Sequence, residues 1–226
     1  MHVLVTGANR GIGLELVRQL LARGERVEAA VRDPDKAVEL RALAGPLRVH
    51  RVDVTDDAHV AELAAALADT ALDLVINCAG VYGGTRQSVR DFDVAEAMRT
   101  YDVNALGALR VSRAMLPHIH RGMTKKLAHI TSGMGSIADN TSGGFYAYRM
   151  SKAALNMMSK SLAVDLRSEG ISSYVINPGW VQTDMGGSGA PTPVDVSVHG
   201  MLRELDAATI KDTGEFLDHK GGRYPW

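Results

Sequence analysis

The sequence predicts a doubly wound α/β fold, in which about seven parallel strands carry helices on both faces. Short runs of apolar and β-branched residues alternate along the chain with longer segments of helical periodicity. A glycine-rich turn directly follows the first of these runs, and no linker long enough to separate two domains interrupts the pattern. We therefore expect a Rossmann-type sheet within a single domain over residues 1–226.

Each element follows from its local pattern. Strands are predicted over residues 3–5, 26–31, 47–52, 72–77, 127–131, 171–177 and 215–217. Helices are predicted over 11–22, 34–44, 56–68, 146–168 and 194–205, with one or two more within 91–120. Pro34 suits the first position of its helix, and Asp56, Asp57, Asp91 and Asp93 suit helix N-termini.

The stretch from 182 to 193 is the least regular part of the chain. It is rich in glycine and proline, which is typical of a surface loop and also of a mobile lid over a site. Together with the helix that follows, it makes 182–205 the expected substrate loop and helix.

The composition argues against nucleic acid and membrane partners. The formal net charge is −1, which gives no basic footprint for a phosphate backbone. No stretch approaches the roughly 20 apolar residues of a membrane span, and the first residues lack a signal-peptide pattern. A single cysteine, Cys78, excludes an internal disulfide, and the scattered histidines have no zinc-site spacing. We expect a cytoplasmic protein without a metal centre.

The stretch TGANRGIG, residues 6–13, predicts a phosphate-binding turn. Its glycines are Gly7, Gly11 and Gly13, placed after the first strand and at the opening of the first helix. Glycine lets the backbone approach a pyrophosphate, and a helix N-terminus offers free N–H groups. Any tight strand-to-helix turn also favours glycine. The position of this turn, after the first strand and before the first helix of a chain in which strands and helices alternate, is what points to dinucleotide binding.

The end of the second strand bears on which dinucleotide binds. A carboxylate there would hydrogen-bond the 2′-OH of the adenine ribose, but here Val31 is followed by Arg32. Arg32, and Arg10 within the glycine turn, favour a 2′-phosphate and hence NADP(H) over NAD(H). Two alternatives stay open: both arginines are solvated surface residues, or Asp33 takes the acidic role.

Tyr148 and Lys152 stand on one face of the predicted helix, because they are four residues apart. A neighbouring ammonium favours phenolate and lowers the pKa of tyrosine. Such a phenol can donate a proton to a carbonyl oxygen as hydride arrives. Tyr146 is rotated away from Lys152, so we expect it to line or pack near the helix start. A Tyr-x-x-x-Lys pair on its own is more often a stacked surface pair.

Other stretches accompany this pair in a fixed order. They are TGANRGIG at 6–13, NCAG at 77–80, Asn104, Ser132, YRMSK at 148–152 and PGWVQTDM at 178–185. Together they resemble the short-chain dehydrogenase/reductase family over essentially the whole chain. The resemblance implies an NAD(P)-dependent oxidoreductase that interconverts a small-molecule carbonyl and its alcohol.

The resemblance also implies a role for each matching residue. Tyr148 would be the catalytic acid/base, and Lys152 would hold the nicotinamide ribose and lower the tyrosine pKa. Ser132 would hydrogen-bond the substrate carbonyl, and Asn104 would hold a water in a proton relay to Lys152. The other implied cofactor contacts are Gly7, Asn9, Arg10, Gly11, Ile12 and Gly13 in the turn, Arg32, Asp53 and Val54 around the adenosine, Asn77, Ala79 and Gly80 at the cleft, and Pro178, Gly179, Val181 and Thr183 near the nicotinamide.

Two positions depart from the family pattern. Ser132 stands 16 residues before Tyr148, a longer spacing than many similar members have, and the extra residues fall in 139–144. Ser132 is retained because it ends a predicted strand, with Ser136 and Thr131 as alternatives. Cys78 replaces an asparagine, and we expect it to be a small buried hydrophobe and not a redox group.

Longer stretches resemble a narrower branch of the family. NTSGGFYAYRMSKAALNM at 140–157, SVHGML at 197–202 and the ending GEFLDHKGGRYPW resemble the C-factor signalling proteins of myxobacteria and the sniffer-type carbonyl reductases of animals. This implies NADPH-dependent reduction of an aldehyde or ketone. The alternative is a developmental signalling protein in which nucleotide binding matters more than turnover. Family members often pair helices across a two-fold axis, which implies a homodimer or homotetramer.

Overall fold

The computed structural model describes residues 1–226 and is built around a seven-stranded parallel sheet. The strands of the chain are β1 (His2–Thr6), β2 (Arg26–Val31), β3 (Leu47–Arg51), β4 (Leu74–Asn77), β5 (Gln87–Ser88), β6 (Asp91–Phe92), β7 (Lys126–Ile130), β8 (Ser172–Asn177) and β9 (Phe216–Asp218). The main sheet has the order β3-β2-β1-β4-β7-β8-β9, and β5 and β6 form a separate antiparallel hairpin. The strand order reverses between β1 and β4, and such a point leaves a crevice at the carboxyl ends of the strands.

Helices cover both faces of the sheet, which confirms the predicted doubly wound fold. They are α1 (Gly11–Ala22), α2 (Val38–Arg41), α3 (Asp57–Ala66), α4 (Val94–Tyr101), α5 (Gly107–Arg121), α6 (Tyr146–Asp165) and α7 (Val194–Ala207). One apolar cluster includes α1 and α7, with Leu20 and Met201 buried, and a second includes α3 and α5, with Leu63 and Met115 buried. No helix is long and apolar enough to cross a membrane.

The helix predicted to start at Pro34 is wrong in extent, because only Val38–Arg41 is helical. The Asp35 amide donates to the Asp33 carboxylate at 3.2 Å, and the chain turns before the helix begins. A short polar side chain that bonds its own backbone offers the chain an alternative to helix. Pro34 therefore belongs to a turn.

The region predicted to hold one or two helices within 91–120 begins instead with the hairpin. Asp91 lies in β6, where its carboxylate accepts from Arg86 Nε at 2.8 Å, so its predicted role at a helix start is wrong. Asp93 takes that role and accepts from the Glu96 amide at 3.0 Å. Asp56 caps α3 in the same way, as predicted. Between α4 and α5 the chain forms a π-helical segment, Asp102–Leu106, that carries Asn104.

A buried carboxylate links the three strands at one side of the sheet. Glu28 in β2 is 1% exposed and lies within 2.7 Å of His2 Nε2 and 2.6 Å of His50 Nε2, while Arg48 donates to it from both Nε and Nη2. Burial alone would raise the pKa of Glu28, but the hydrogen bonds from His50, Arg48 and His2 lower it to about 2. This cluster is a structural link between β1, β2 and β3.

Candidate active site

The predicted site residues converge at the carboxyl edge of the central strands. β1 runs into the glycine turn, β4 ends at Asn77, Ser132 lies two residues beyond β7, and Pro178 follows β8. Because neighbouring parallel strands end at the same edge, these four segments meet around one crevice. The Thr6 hydroxyl accepts from the amides of Cys78 and Ala79, each at 3.1 Å, and so ties the end of β1 to the segment after β4.

The glycine turn is tightly packed, and the start of helix α1 that follows it has no side-chain cap. Gly7 and Gly11 have φ values of +66° and +53°, a region that glycine adopts without strain. A Cβ atom at Gly13 would lie 2.2 Å from the Gly7 carbonyl oxygen, so this position requires glycine. Arg10 precedes α1 without forming a side-chain cap, and the first turn holds no acidic residue. The N–H groups at this helix start can therefore bind an anion.

Arg10 lies within the glycine turn, and Arg32 directly follows β2. Arg10 Nη1 lies 3.0 Å from the Asp184 carboxylate, and both side chains are largely exposed. Arg32 has no ion-pair partner, but its positive charge lowers the pKa of Asp53. Burial raises the pKa of Asp53, while hydrogen bonds from Thr55 and the charge of Arg32 bring it below its ordinary value. Arg32 therefore lies at the same edge as Asp53, the predicted adenine contact.

Asp33, the alternative ribose partner, is engaged elsewhere. Its carboxylate lies 2.9 Å from Lys36 Nζ and also accepts from the Asp35 amide. Hydrogen bonding to Lys36 lowers the pKa of Asp33.

The remaining predicted cofactor residues lie around the same crevice. A Cβ atom at Gly11 would meet the Thr183 methyl at 3.3 Å, so the glycine turn and the loop after β8 are in close approach. Gly179 has φ +79° and packs so closely that a Cβ there would lie 2.5 Å from His219. Val181 is buried and forms a bridge with Thr192. Asn9 is exposed on the turn, Ile12 packs against the core, and Val54 packs against Gly107.

Tyr148 and Lys152 share one buried face of α6, as their spacing predicted. Tyr148 is 8% exposed and Lys152 is 5% exposed. Lys152 Nζ donates to the Ile130 carbonyl at 2.8 Å and lies 5.7 Å from the centre of the Tyr148 ring. Tyr146 is 39% exposed and packs edge-on against Phe92, which agrees with a packing role near the helix start.

Burial shifts the pKa values of both groups toward their uncharged forms. It raises the pKa of Tyr148 to about 12, against the opposing effect of the Ser132 hydroxyl. It lowers the pKa of Lys152 to about 8, against the effect of Cys78. Desolvation is the largest cause of the Tyr148 shift, and Lys152 is not among the groups that act on the Tyr148 pKa in this arrangement. The expected lowering of that pKa by Lys152 stays a prediction.

Of the three candidate hydroxyls, only that of Ser132 affects the pKa of Tyr148, which it lowers by hydrogen bonding. Its oxygen also accepts from the Met134 amide at 3.1 Å. The two alternatives are committed to other partners: Thr131 donates to Asn156 at 2.6 Å, and Ser136 donates to the Trp226 carbonyl at 3.0 Å.

Asn104 is fixed beside the segment that follows β4. Its Oδ1 accepts from the Val81 amide at 2.8 Å, and its Nδ2 donates to the Val81 carbonyl and the Ser151 hydroxyl, each at 2.9 Å. A Cβ at Gly80 would lie 3.3 Å from Asn104 Oδ1 and 3.7 Å from Lys152 Nζ, so both side chains border Gly80. The water relay through Asn104 stays a prediction.

Sequence reasoning missed two residues that contact Tyr148. Gln87 Oε1 accepts from the Tyr148 backbone amide at 3.0 Å, and the Tyr82 ring lies 5.0 Å from the Tyr148 ring. Gln87 stands in a polar stretch without periodicity, and the two contacts span 61 and 66 residues. No spacing rule could have identified either residue.

The hydrophobic tail, Tyr224 to Trp226, is expected from the sequence to dock onto the core or to close the pocket or an interface, and it packs against the segment that follows Ser132. Tyr224 Oη donates to Asp139 at 2.6 Å, and the Trp226 carbonyl accepts from the Ala138 amide at 2.8 Å. The aromatic rings of Tyr224 and Trp226 both pack on Phe216. The extra residues after Ser132 are thus held by the tail.

Cys78 is not placed for redox chemistry. Burial raises the pKa of its thiol to about 12, which leaves it protonated and unreactive at neutral pH. The residue packs against the main apolar cluster but is only partly buried, less than expected. No group of three His, Cys, Asp or Glu side chains is arranged to hold a metal ion.

These features define an oxidoreductase built on a dinucleotide-binding fold. The sequence model of the short chain dehydrogenase family matches residues 1–192. The chain therefore belongs to that family.

Individual relatives agree with the narrower resemblance. The chain is 51% identical to the C-signal protein of Myxococcus xanthus over 155 residues, which cover 69% of this chain and 93% of that protein. An NADPH-bound carbonyl reductase from chicken fatty liver superposes with a TM-score of 0.93 at 36% identity, covering 100% of this chain and 98% of the other. The carbonyl reductase Sniffer of D. melanogaster gives 0.92 at 30% identity, covering 100% and 99%. The predicted C-factor and sniffer-like branch is confirmed.

The raised pKa of Tyr148 predicts that its phenol stays protonated in alkaline solution. The group loses its proton only near pH 12, so a phenolate difference signal between the wild type and Tyr148→Phe should be absent at about pH 10.5. A free tyrosine amide, which is mostly ionised at that pH, calibrates the absorbance. A signal below about pH 10 that disappears in Tyr148→Phe would show that burial does not govern this phenol.

Proposed function

We propose that the protein is an NADPH-dependent oxidoreductase that reduces the carbonyl of an aldehyde or ketone to an alcohol. The observation that carries this proposal is the buried pair Tyr148 and Lys152, placed at the carboxyl edge of the sheet near a free helix start. Similarity to an NADPH-bound carbonyl reductase along the full chain supports it. Residues 182–205, which follow the same edge, would shape the substrate pocket.

The residues present fit a dinucleotide. The uncapped start of α1 would bind the pyrophosphate, and Gly7, Gly11 and Gly13 allow the tight turn that leads into it. Asp53 would contact the adenosine, and Arg32, whose charge acts on Asp53, would lie nearby. When bound, the reduced nicotinamide would supply a hydride to the carbonyl carbon.

Tyr148 would donate its phenol proton to the carbonyl oxygen. A pKa of about 12 keeps the phenol protonated at neutral pH, which loads the site for reduction. The oxygen that forms on reduction is an alkoxide and is more basic than phenolate, so the proton moves toward it. Ser132 would hydrogen-bond the same oxygen, and Lys152, with a pKa of about 8, is mostly charged at neutral pH and would stabilise the developing negative charge.

The Tyr148→Phe variant tests this proposal. We expect kcat to fall by about 10²- to 10⁴-fold, because the proton donor is lost, with little change in the dissociation constant for NADPH. Tyr174→Phe is the matched control, since it also loses one phenol hydrogen bond, to the Thr209 carbonyl at 2.6 Å. Turnover of Tyr148→Phe close to that of the control would remove Tyr148 from the mechanism.

The preference for NADP(H) over NAD(H) follows from the groups near the end of β2. Arg32 is exposed, has no ion-pair partner and lies near Asp53, whereas Asp33 is bonded to Lys36. The ion pair of Arg10 with Asp184 is exposed, so it opposes binding of a phosphate by Arg10 only weakly. Both arginines therefore remain able to bind a 2′-phosphate.

Arg32→Ala tests that preference. Loss of a charge-assisted hydrogen bond to the 2′-phosphate should weaken NADPH binding by about tenfold or more and leave NADH binding nearly unchanged. Arg26→Ala, at the amino end of the same strand, is the matched control. Nicotinamide fluorescence titrations measure both affinities. Tighter binding of NADH by the wild type would instead favour Asp33 as the ribose partner.

A second candidate function is signalling, favoured by the 51% identity to C-signal. In that case nucleotide binding would matter more than turnover. The two functions separate in a strain of M. xanthus that lacks C-signal. Restoration of signalling by Tyr148→Phe protein that binds NADPH without turnover would favour signalling, and restoration by the wild type alone would tie any such role to catalysis.

Self-association and location complete the proposal. Five apolar side chains on α4 and α6 are each more than half exposed, which is typical of a contact surface; they are Val94, Met98, Met150, Met157 and Val164. We expect a homodimer or homotetramer, and a monomeric mass by light scattering would contradict it.

A single thiol without a disulfide fits a cytoplasmic location, which fractionation of source cells would test.

A further inference from the structure

Helix α6, which carries Tyr148, begins without a cap from its own chain segment. The residue before it, Phe145, has a left-handed backbone with φ 50° and makes no side-chain cap. The first amides of a helix have no partner within the helix and need one from elsewhere. One of these amides belongs to Tyr148 itself.

Gln87 supplies that partner from the distant hairpin. Its Oε1 accepts from the Tyr148 amide at 3.0 Å, and its Nε2 donates to the carbonyls of Tyr82 and Gly84, each at 2.9 Å. The side chain is 4% exposed, so these bonds form in a site closed to water. Both the oxygen and the nitrogen of this buried side-chain amide are therefore hydrogen-bonded.

The Gln87 side-chain amide also holds the segment that carries Tyr82, whose ring packs against the Tyr148 ring. The Tyr82 ring lies 5.0 Å from the Tyr148 ring and 5.9 Å from the Phe145 ring. Gly83, with φ +90°, lets this segment lie against the start of α6, since a Cβ there would be 3.1 Å from the Ala147 methyl. Gln87 thus hydrogen-bonds to the backbones of Tyr82 and Tyr148, whose rings pack against each other.

We propose that Gln87 is a positioning residue, which sets the height and direction of the Tyr148 phenol by holding its amide and the Tyr82 carbonyl together. The inference rests on the proposed function, in which Tyr148 is the proton donor. Misplacing a catalytic group by about 1 Å can cost on the order of 10²-fold in rate. A change at Gln87 should therefore lower kcat while NADPH binding is preserved.

Gln87→Met keeps an unbranched side chain of similar length and removes all three hydrogen bonds. We expect kcat to fall by about 10- to 100-fold, with the dissociation constant for NADPH changed by less than about twofold. Tyr174→Phe again controls for the loss of a buried hydrogen bond far from the site. Unchanged kcat in a folded Gln87→Met protein would overturn the inference.

A double-substitution cycle separates positioning of Tyr148 from a general structural effect. If Gln87 acts through the phenol, Gln87→Met should cost less than about threefold in a Tyr148→Phe background. A loss as large as in the wild-type background would contradict the inference. An inactive wild type would sink the proposed function itself, whereas an active wild type with an insensitive Gln87 would sink only this inference.

Gln87→Glu provides a second variant if Gln87→Met does not fold. A carboxylate can accept from the Tyr148 amide but cannot donate to the Tyr82 and Gly84 carbonyls, while a protonated carboxyl can accept from that amide and donate to one of the two carbonyls. Burial raises the pKa of a carboxyl group, so activity relative to wild type at the same pH should rise as the pH falls toward about 5. A constant ratio across that range would overturn the inference.

Discussion

The burial of Tyr148 and Lys152 against the carboxyl edge of the sheet is the constraint on which the site depends. Helix α6 can approach this edge closely because the segment after β7 has glycine at the point of contact: a Cβ at Gly135 would lie 2.9 Å from Lys152. Lys152 then reaches the Ile130 carbonyl, and Asn156 donates to the Gly135 carbonyl at 3.2 Å. These bonds compensate for polar groups that would otherwise be costly to bury.

The chemistry follows from the same burial. In water a tyrosine and a lysine would both titrate near pH 10, but here their pKa values move apart, to about 12 and about 8. Groups whose environments separate their pKa values in this way can take different roles; in the proposed reduction Tyr148 would donate a proton and Lys152 would supply positive charge.

Local patterns in the sequence were sufficient for much of this account. The glycine turn, the Tyr148–Lys152 face and the capping aspartates Asp56 and Asp93 depend on residues a few positions apart. The contacts of Gln87, Tyr82 and the tail depend on segments about 60 or more residues away, which no periodicity encodes. The pKa of Tyr148 could not be anticipated either, because desolvation depends on the packing of the whole edge.

The most direct test follows a single hydride. NADPH labelled with deuterium at the transferable position of nicotinamide C4 is mixed with excess protein and a carbonyl compound that the protein consumes, chosen from an aldehyde and ketone panel. The account predicts deuterium on the carbinol carbon of the alcohol product, and no labelled product from Tyr148→Phe on the same timescale. Tight NADPH binding without consumption of any carbonyl, or oxidation of NADPH with no deuterium in an alcohol, would contradict it.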